Sequence, residues 1–410
     1  PDEVYFTSCG SEGDNWALIS GARSMRRRGK HIISSAVEHD AVRKSLDFLE
    51  KEGYEITRLQ PDGAGAIPLE RVRAALRPDT ILVSLMMVNN ETGAINDIAA
   101  VARMLKAENS IALLHTDAVQ GFLKVPFSAK TLGADLITIS GHKIHAPKGI
   151  GALYIRSGLK LPPYIHGGGQ ERGIRAGTEP TPQIAAFGVA AEIGSAKMAE
   201  TTKTMAELRT HAIDRLTAEV EGVTVIGGGA PHILSISLPG YRSEVLMNFL
   251  EARSIYTSKS SACKKGGRSH VLEAIGLPSN VIDGALRISF SRYTTREDVD
   301  ALCDALRDAK PSLFILRFLE RCVRCLRRQT HRAQRGIVDI IQIHVFRGLC
   351  LEAAFFQPVI DQLLQAGIDH DEHRHAQQHA DKAEQAAAEQ DGKHDPEAVD
   401  TGGTAEDLRS

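Results

Sequence analysis

Apolar runs of strand length alternate with segments of helical period through roughly the first 300 residues. The strand-like runs are TILVSLMMV at 80–88, IALLHTDA at 111–118, ADLITISG at 134–141 and GALYIR at 151–156. Between the first two lies DIAAVARMLKAE at 97–108, in which apolar residues recur with a helical period. Because these strands are apolar on both faces, helices must cover both sides of their sheet. The pattern predicts an α/β fold with a mostly parallel central sheet covered by helices.

A second, smaller region follows a long helical stretch at roughly 183–220. Its strand-like and helix-like runs are HILSISLPG at 232–240, SEVLMNFLEAR at 243–253, ALRISFS at 285–291 and TREDVDALCDALRDA at 295–309. These runs predict a smaller α+β domain. We therefore expect a large domain at 1–190, a smaller domain at 191–310 and a separate tail at 311–410.

The composition changes abruptly after about residue 310. The last forty or so residues are rich in His, Ala, Gln and Glu, and they cannot bury enough surface to offset their chain entropy. We predict that the tail is partly disordered, and a frameshift artefact is an alternative explanation of the abrupt change. Cys322 and Cys325 form a lone Cys-x-x-Cys pair. Since no second ligand pair lies at a suitable spacing, we predict no metal site.

The charge and the cysteine content argue against several classes of protein. A net charge of −2 over 410 residues gives no basic surface for nucleic acid or for an anionic membrane. No apolar run approaches the length of a bilayer, and the N-terminus lacks a targeting pattern. Six cysteines are too sparse and irregular for a disulfide framework in a chain of this size. We expect a cytoplasmic protein with free thiols and without nucleic-acid or membrane partners.

The stretch ITISGHKIHAPKGIGALYI at 137–155 places Lys143 between two strand-like runs. A partly desolvated lysine amine at the end of a sheet can form an imine with an aldehyde cofactor. A surface lysine is the ordinary alternative, but two neighbours favour catalysis. Asp117 ends an apolar strand, where ligands of open α/β sheets collect, and Gln120 follows it by about one turn. Pyridoxal phosphate requires a lysine imine, an acid at the ring nitrogen and donors to its phosphate.

Candidate phosphate donors precede the first predicted helix, in TSCGSEGDNWAL. Ser8, Gly10 and Ser11 form a small-residue turn whose N–H groups and hydroxyls can hold a dianion. A plain helix N-cap is the alternative explanation of the same turn. Ser140 and His142, at the end of the strand-like run 134–141, can close over the same phosphate.

The chain from about residue 3 to 309 resembles the cysteine desulfurases that depend on pyridoxal phosphate, which are relatives of the class V aminotransferases. The matching strings, in the family's order, are FTSCGSEGDN, SSAVEHDAV, MMVNNETGAI, HTDAVQ, SGHKIHAPKGIGALY, HGGGQERGIRAGTE, SSAC and LRISFSRYTTREDVD. The resemblance implies the fold-type I architecture of such transferases, with pyridoxal 5'-phosphate as cofactor, L-cysteine as substrate and a homodimer with shared sites.

The resemblance also implies a role for each matching residue. Lys143 forms the imine with the cofactor and later transfers a proton, and Asp117 keeps the ring nitrogen protonated. Gln120 contacts the ring oxygen, and His39 stacks on the ring and assists proton transfer. The residues implied to bind the phosphate are Gly10, Ser11, Ser140 and His142, with Thr178 reaching the phosphate of the neighbouring subunit. Asn90 and Arg287 are implied to bind the substrate carboxylate, Arg287 through a bidentate pair.

Cys263 is the candidate nucleophile. It lies in SKSSACKKGGRSH, a loop of serines and glycines in which three nearby cations favour the thiolate. The resemblance implies that Cys263 takes the sulfur of L-cysteine as a persulfide, leaves L-alanine, and passes the sulfur to an acceptor protein. The acceptor is either an iron-sulfur scaffold or an enzyme of tRNA thiolation. Cys303, inside an amphipathic helical segment, fits core packing better.

Two departures from the family pattern leave alternatives open: a missing N-terminal segment, and a tail after residue 310 that does not resemble the family ending. Family members begin with a further N-terminal segment, whereas this chain starts at Pro1 almost directly in a strand-like run. We therefore expect a missing front segment that leaves the activity of this chain open. The rival functions are a selenocysteine lyase, which uses the same lysine and aspartate, and an inactive remnant that acts only as a binding partner.

Overall fold

The computed structural model describes residues 2–259 and 268–309, which belong to one compact unit, Pro1–Leu316. The predicted nucleophile Cys263 and the predicted tail at 311–410 lie outside the described residues. In the part of the chain that is described, no helix is long and apolar enough to cross a membrane.

A seven-stranded sheet forms the centre of the first part of the chain. Its strands are β1 (Val4–Thr7), β2 (His31–Ser35), β3 (Glu55–Leu59), β4 (Thr80–Ser84), β5 (Leu113–Asp117), β6 (Leu136–Ser140) and β7 (Gly151–Ile155), in the order β1-β7-β6-β5-β4-β2-β3. The five strands from β3 to β6 in this order run parallel. Strand β7 is antiparallel to both β6 and β1. The prediction of a mostly parallel sheet is confirmed.

Helices cover both faces of this sheet, as the apolar strands require. They are α1 (Gly10–Met25), α2 (Asp40–Lys51), α3 (Leu69–Ala75), α4 (Ile98–Ala107) and α5 (Ala129–Leu132). Strand β4 shows the arrangement, since all five of its residues are buried. Leu82 packs in a cluster with Leu18 of α1, while Val83 belongs to another cluster with Val101 of α4. A strand in this position cannot tolerate polar side chains on either face without partners.

A three-stranded antiparallel sheet forms the centre of the second part. Its strands are β8 (Thr224–Ile226), β9 (Ile233–Ser237) and β10 (Ala285–Ser289), in the order β10-β9-β8. The helices of this part are α6 (Thr181–Ala196), α7 (Met198–Glu219), α8 (Ser243–Glu251), α9 (His270–Ala274) and α10 (Ser279–Asp283), and residues 296–309 are also helical. An apolar cluster joins α7, α8 and the strands β9 and β10. The domain boundary at residue 190 stays a prediction.

The single long helix predicted at roughly 183–220 is wrong. The stretch is two helices, α6 and α7, separated at Lys197. Helix α6 packs Phe187 and Ala190 against the turn and strand that follow β6, whereas α7 packs Leu208 and Leu216 into the cluster of the smaller sheet. Because α6 and α7 pack into different apolar clusters, one straight helix could not place its apolar residues in both.

We predict that Leu82→Ala destabilises the fold by about 3 kcal/mol, since it empties a fully buried site on the central strand β4. Ile111→Ala is the matched control, because Ile111 is 37% exposed and its removal leaves no enclosed cavity. Denaturant unfolding of both variants measures the two losses. Equal losses would contradict the assignment of β4 to the centre of the core.

Candidate active site

Polar side chains collect where the parallel strands β5 and β6 end. Asp117 is the last residue of β5 and Ser140 is the last residue of β6. Since the two strands are parallel neighbours, both residues lie at the same edge of the sheet. Ligands of open α/β sheets bind at this edge.

Lys143 lies on the turn that follows β6. The turn Gly141–Ile144 is a short 3-10 helix, and it ends at His145, whose backbone is left-handed with φ 68°. Gly141 is required here, because a Cβ at this position would lie 2.7 Å from Cγ2 of Ile150. The Lys143 side chain is half-buried, and its backbone carbonyl accepts a hydrogen bond of 2.7 Å from Nζ of Lys124. The turn therefore holds the predicted lysine beside the strand ends.

Asp117 is a buried carboxylate that faces positive charge. Its side chain is almost completely enclosed, since the residue is 6% exposed, and Oδ1 accepts the N–H of Val119 at 2.9 Å. Burial raises the pKa of Asp117, while that hydrogen bond and the charges of His39 and Lys143 oppose the rise. Asp117, His39 and Lys143, which the sequence predicted to share a site, are thus close enough to interact electrostatically.

A buried polar network that the sequence did not predict lies behind Asp117. Nδ1 of His115 on β5 is 2.8 Å from Oγ of Ser84, and its Nε2 is 3.0 Å from Oγ1 of Thr138 and 3.6 Å from Oδ1 of Asp14. Burial lowers the pKa of His115 to about 3. Burial, followed by the charge of Asp117, raises the pKa of Asp14 well above its usual range. Burial thus favours the neutral forms of both His115 and Asp14 beside Asp117.

The N-terminus of helix α1 meets the end of β6. Helix α1 begins at Gly10, where a Cβ would lie 2.8 Å from Cγ2 of Val119 and 3.4 Å from Cβ of Ser140. Oγ of Ser140 is 2.9 Å from Nδ1 of His142. Burial, together with neighbouring lysines, lowers the pKa of His142 and favours its neutral form. The structure thus brings together three of the four predicted phosphate ligands, and the fourth, Ser11, lies in the first turn of α1.

Gln120 pairs with a histidine that the sequence did not predict to lie in the site. Nε2 of His232, just before β9, is 3.3 Å from Oε1 of Gln120. His232 is 3% exposed, and burial together with the charges of Lys124, Arg287 and Lys143 lowers its pKa to about 2. His232 is therefore a neutral imidazole among cations. The sequence signal was weak, because a lone histidine ahead of a strand is ordinary.

Arg287 reaches the site from the smaller sheet. It lies on β10, and its backbone pairs with Ser258 through hydrogen bonds of 2.8 and 3.2 Å. Nη1 of its guanidinium donates to the backbone carbonyl of Asn90 at 2.8 Å. The two residues predicted to bind the substrate carboxylate are therefore adjacent, although the contact uses the backbone of Asn90 and not its amide.

His39 caps helix α2 and follows a buried acid. Nδ1 of His39 accepts the N–H of Ala41 at 3.2 Å. The preceding Glu38 is fully buried, and its Oε1 accepts from Oγ of Ser35 at 2.6 Å and from the N–H of Met86 at 3.1 Å. Burial raises the pKa of Glu38 to about 8 in spite of these bonds. Glu38 is thus a carboxylic acid that stays protonated at neutral pH.

Thr178 lies on an exposed loop that lines a cavity of about 140 Å³ with Ser8 and Arg175. Arg175 forms an ion pair of 2.7 Å with Glu12, and Glu12 also accepts the N–H of Ser8 at 2.7 Å. The loop of Thr178 is therefore tied to the first turn of α1. Its predicted reach toward a second subunit stays a prediction.

Residues 1–302 match the family model described as Aminotransferase class-V. The "Cysteine desulfurase IscS" of Methanosarcina thermophila is 42% identical over 310 residues, which cover 74% of this chain and 76% of that protein. The chain belongs to the cysteine desulfurases of the class V aminotransferase family. This membership confirms the family and the fold-type I architecture that the motifs predicted, and it favours a desulfurase over a selenocysteine lyase.

Solved structures of similar proteins agree with this membership. A "NIFS-LIKE PROTEIN" is 37% identical with a TM-score of 0.71, and the match covers 76% of this chain and 83% of that chain. A second structure, "SspA in complex with cysteine", is 32% identical with a TM-score of 0.61, covering 72% of this chain and 83% of that one. The desulfurase architecture therefore extends over both sheets of the described chain.

We predict that Glu38→Gln changes how the stability of this desulfurase depends on pH. The folded protein keeps the proton of Glu38 up to about pH 8, whereas the unfolded chain loses it near its ordinary value. Ionisation of the unfolded chain thus lowers the free energy of unfolding of the wild type by about 1.4 kcal/mol per pH unit across that window. The variant, with its neutral amide, should match the wild type near pH 5 and become relatively more stable toward pH 8.

Denaturant unfolding at pH 5, 6, 7 and 8 checks this prediction, with the exposed Glu200→Gln as control. If the stability of Glu38→Gln runs parallel to that of the wild type over this range, Glu38 is ionised in the folded protein.

Proposed function

We propose that this chain binds pyridoxal 5'-phosphate at the ends of β5 and β6 and uses it to convert L-cysteine to L-alanine, leaving the sulfur on Cys263. The observation that carries the proposal is the meeting of Lys143, the buried Asp117 and the N-terminus of α1 at one edge of the sheet. These are the three groups that the cofactor requires.

The described residues fit the cofactor. Helix α1 has sixteen residues, and its N-terminal N–H groups and dipole favour a phosphate there. At the same edge, Gly10 lies so close to Val119 that a side chain would clash. Asp117 is buried and therefore suited to a protonated ring nitrogen, whose positive charge would hold its carboxylate ionised. When bound, the cofactor supplies a ring that accepts the electrons released from the substrate Cα.

Each residue of the site has a proposed task. Lys143 carries the cofactor and then moves the proton at the substrate Cα, and Asp117 holds the proton on the ring nitrogen. Gln120 binds the ring oxygen, and the imidazole of His39 stacks on the ring. The proposed phosphate ligands are Gly10, Ser11, Ser140 and His142, with Thr178 serving the partner subunit of a homodimer.

The substrate is held by its carboxylate and attacked at its sulfur. Arg287 binds the carboxylate beside Asn90, where the two residues already touch. The Cys263 thiolate then attacks the substrate sulfur, so that an S–S bond forms and the Cβ–S bond breaks. The electron pair of the broken bond stays on the three-carbon fragment, which takes up a proton at Cβ and leaves as L-alanine. A related structure that holds cysteine supports this choice of substrate.

The sulfur on Cys263 passes to an acceptor protein in this proposal. The acceptor is an iron-sulfur scaffold or an enzyme of tRNA thiolation, and no nucleic acid is bound directly. A cytoplasmic location accompanies the proposal, and the free thiols Cys9 and Cys303 within the described residues support it. We also propose the division into domains at 1–190 and 191–310, because each part is built on a sheet of its own.

We predict that the full chain, supplied with pyridoxal phosphate, L-cysteine and a reductant, forms alanine and sulfide. Lys143→Ala should lower alanine formation by at least about 100-fold, since it removes both the covalent attachment and the proton transfer. Cys263→Ala should lower sulfide release by a similar factor while covalent binding of the cofactor persists. Amino-acid analysis and a sulfide assay measure the products.

Matched controls are Lys130→Ala, an exposed lysine on α5, and Cys303→Ala, a buried thiol in the core of the smaller sheet. Both controls should keep activity near that of the wild type. Cofactor binding without any turnover by the wild type would favour the alternative of an inactive remnant. Equal turnover of L-selenocysteine and L-cysteine in competition would instead favour the alternative function of a selenocysteine lyase.

A further inference from the structure

We propose that Lys124 is a positioning residue for Lys143: its ammonium anchors the backbone of the Lys143 turn and places a second positive charge beside the Lys143 amine. The amine then loses its proton more readily and attacks the cofactor aldehyde at neutral pH. This inference rests on the proposed function, because it assigns a task to a neighbour of the proposed cofactor lysine.

The geometry holds Lys124 from both ends. Its Nζ donates to the carbonyl oxygen of Lys143 at 2.7 Å, and its own carbonyl accepts from Oγ1 of Thr202 on α7 at 3.3 Å. The preceding Leu123 adopts a left-handed backbone with φ 59°, which is unfavourable for a leucine. Helix α6 presents Gly194 to this leucine, where a Cβ would lie 2.7 Å from Cδ1 of Leu123. Helices α6 and α7 thus hold Leu123 in an unfavourable backbone conformation, and this conformation places Nζ of Lys124 against the carbonyl oxygen of Lys143.

The surroundings of Lys124 are rich in basic groups. Burial, and then the charge of Lys143, lower the pKa of Lys124 to about 8. The charge of Lys124 acts on three imidazoles, those of His142, His145 and His232. Burial and nearby cations, Lys124 among them, lower the pKa of each. Arg292 acts on His145, and Arg287 on His232. The opposing negative charge is Asp117, on which Lys143 also acts.

Two ammonium groups in one basic, partly buried place disfavour each other. Their protons leave as a coupled pair, so that the first proton is lost at a lower pH than for either lysine alone. A lysine beside another cation is an established way to make an amine nucleophilic. The carbonyl of Lys143 holds the ammonium of Lys124 at this place, which keeps the charge next to the reacting lysine.

A simpler role gives Lys124 no electrostatic task. A lysine ammonium can satisfy the last carbonyl groups of a helical turn and stabilise the turn alone. In that case the loss of Lys124 lowers stability but leaves the titration of Lys143 unchanged. The two roles are separated by Lys124→Gln, which keeps an N–H donor and removes the charge, and by Lys124→Arg, which keeps both.

The test is competitive acetylation of the full chain with acetic anhydride between pH 6 and 10, followed by peptide mass spectrometry of Lys143. The expected result is labelling of Lys143 that is about tenfold slower at pH 7 in Lys124→Gln and Lys124→Met, because Lys124 carries its charge below its pKa of about 8. Lys124→Arg and the exposed control Lys130→Met should keep the wild-type labelling rate at pH 7. An unchanged labelling rate at pH 7 in folded Lys124→Gln overturns the proposal and leaves Lys124 as a cap of the turn.

A second measurement separates this inference from the proposed function. The rate at which the chain without cofactor gains visible absorption after mixing with pyridoxal phosphate should fall about tenfold at pH 7 in Lys124→Gln and approach the wild-type rate at pH 10. Failure of the wild type to gain this absorption, with the change in the Lys143 labelling rate at pH 7 present, refutes the proposed function and not the charge effect. A normal wild-type gain without any change in that labelling rate refutes the role of Lys124 alone.

Discussion

The buried carboxyl group of Asp117 is the feature around which the site is organised. A carboxylate at the end of a central strand is costly unless positive groups compensate for the loss of water. Lys143 and His39 supply that compensation from two different connections, one after β6 and one before α2. The parallel order of the strands makes this convergence unavoidable, because the ends of β5 and β6 must lie side by side.

Burial favours the neutral forms of the two acids near Asp117. Asp14 and Glu38 are both buried, and burial raises the pKa of each above its ordinary value, that of Glu38 to about 8. If either carried a second negative charge, the charge of Asp117 would be harder to maintain. His115, which faces Asp14, is likewise neutral. A protonated pyridine nitrogen beside Asp117 would favour the ionised form of that one carboxyl group.

The sequence predicted those parts of the site that follow from strand ends. Asp117 and Lys143 were recognisable because apolar runs mark the strands, and the residues after parallel strands share an edge. His232 and Lys124 were not recognisable, since their burial depends on packing between distant segments. His232 touches Gln120 more than a hundred residues earlier, and Lys124 is fixed by Thr202 on α7. The break at Lys197 was missed for a related reason, because local periodicity does not show that two halves of a helical stretch belong to different cores.

The most direct test of the account is to find which lysine receives the cofactor. The full chain is mixed with pyridoxal phosphate, reduced with borohydride, digested and analysed by peptide mass spectrometry. We predict a single modified peptide that carries the label on Lys143, although Lys124 is a second lysine of lowered pKa in contact with the same turn. Label on Lys124, or label spread over exposed lysines, would contradict the assignment of the cofactor site to the ends of β5 and β6.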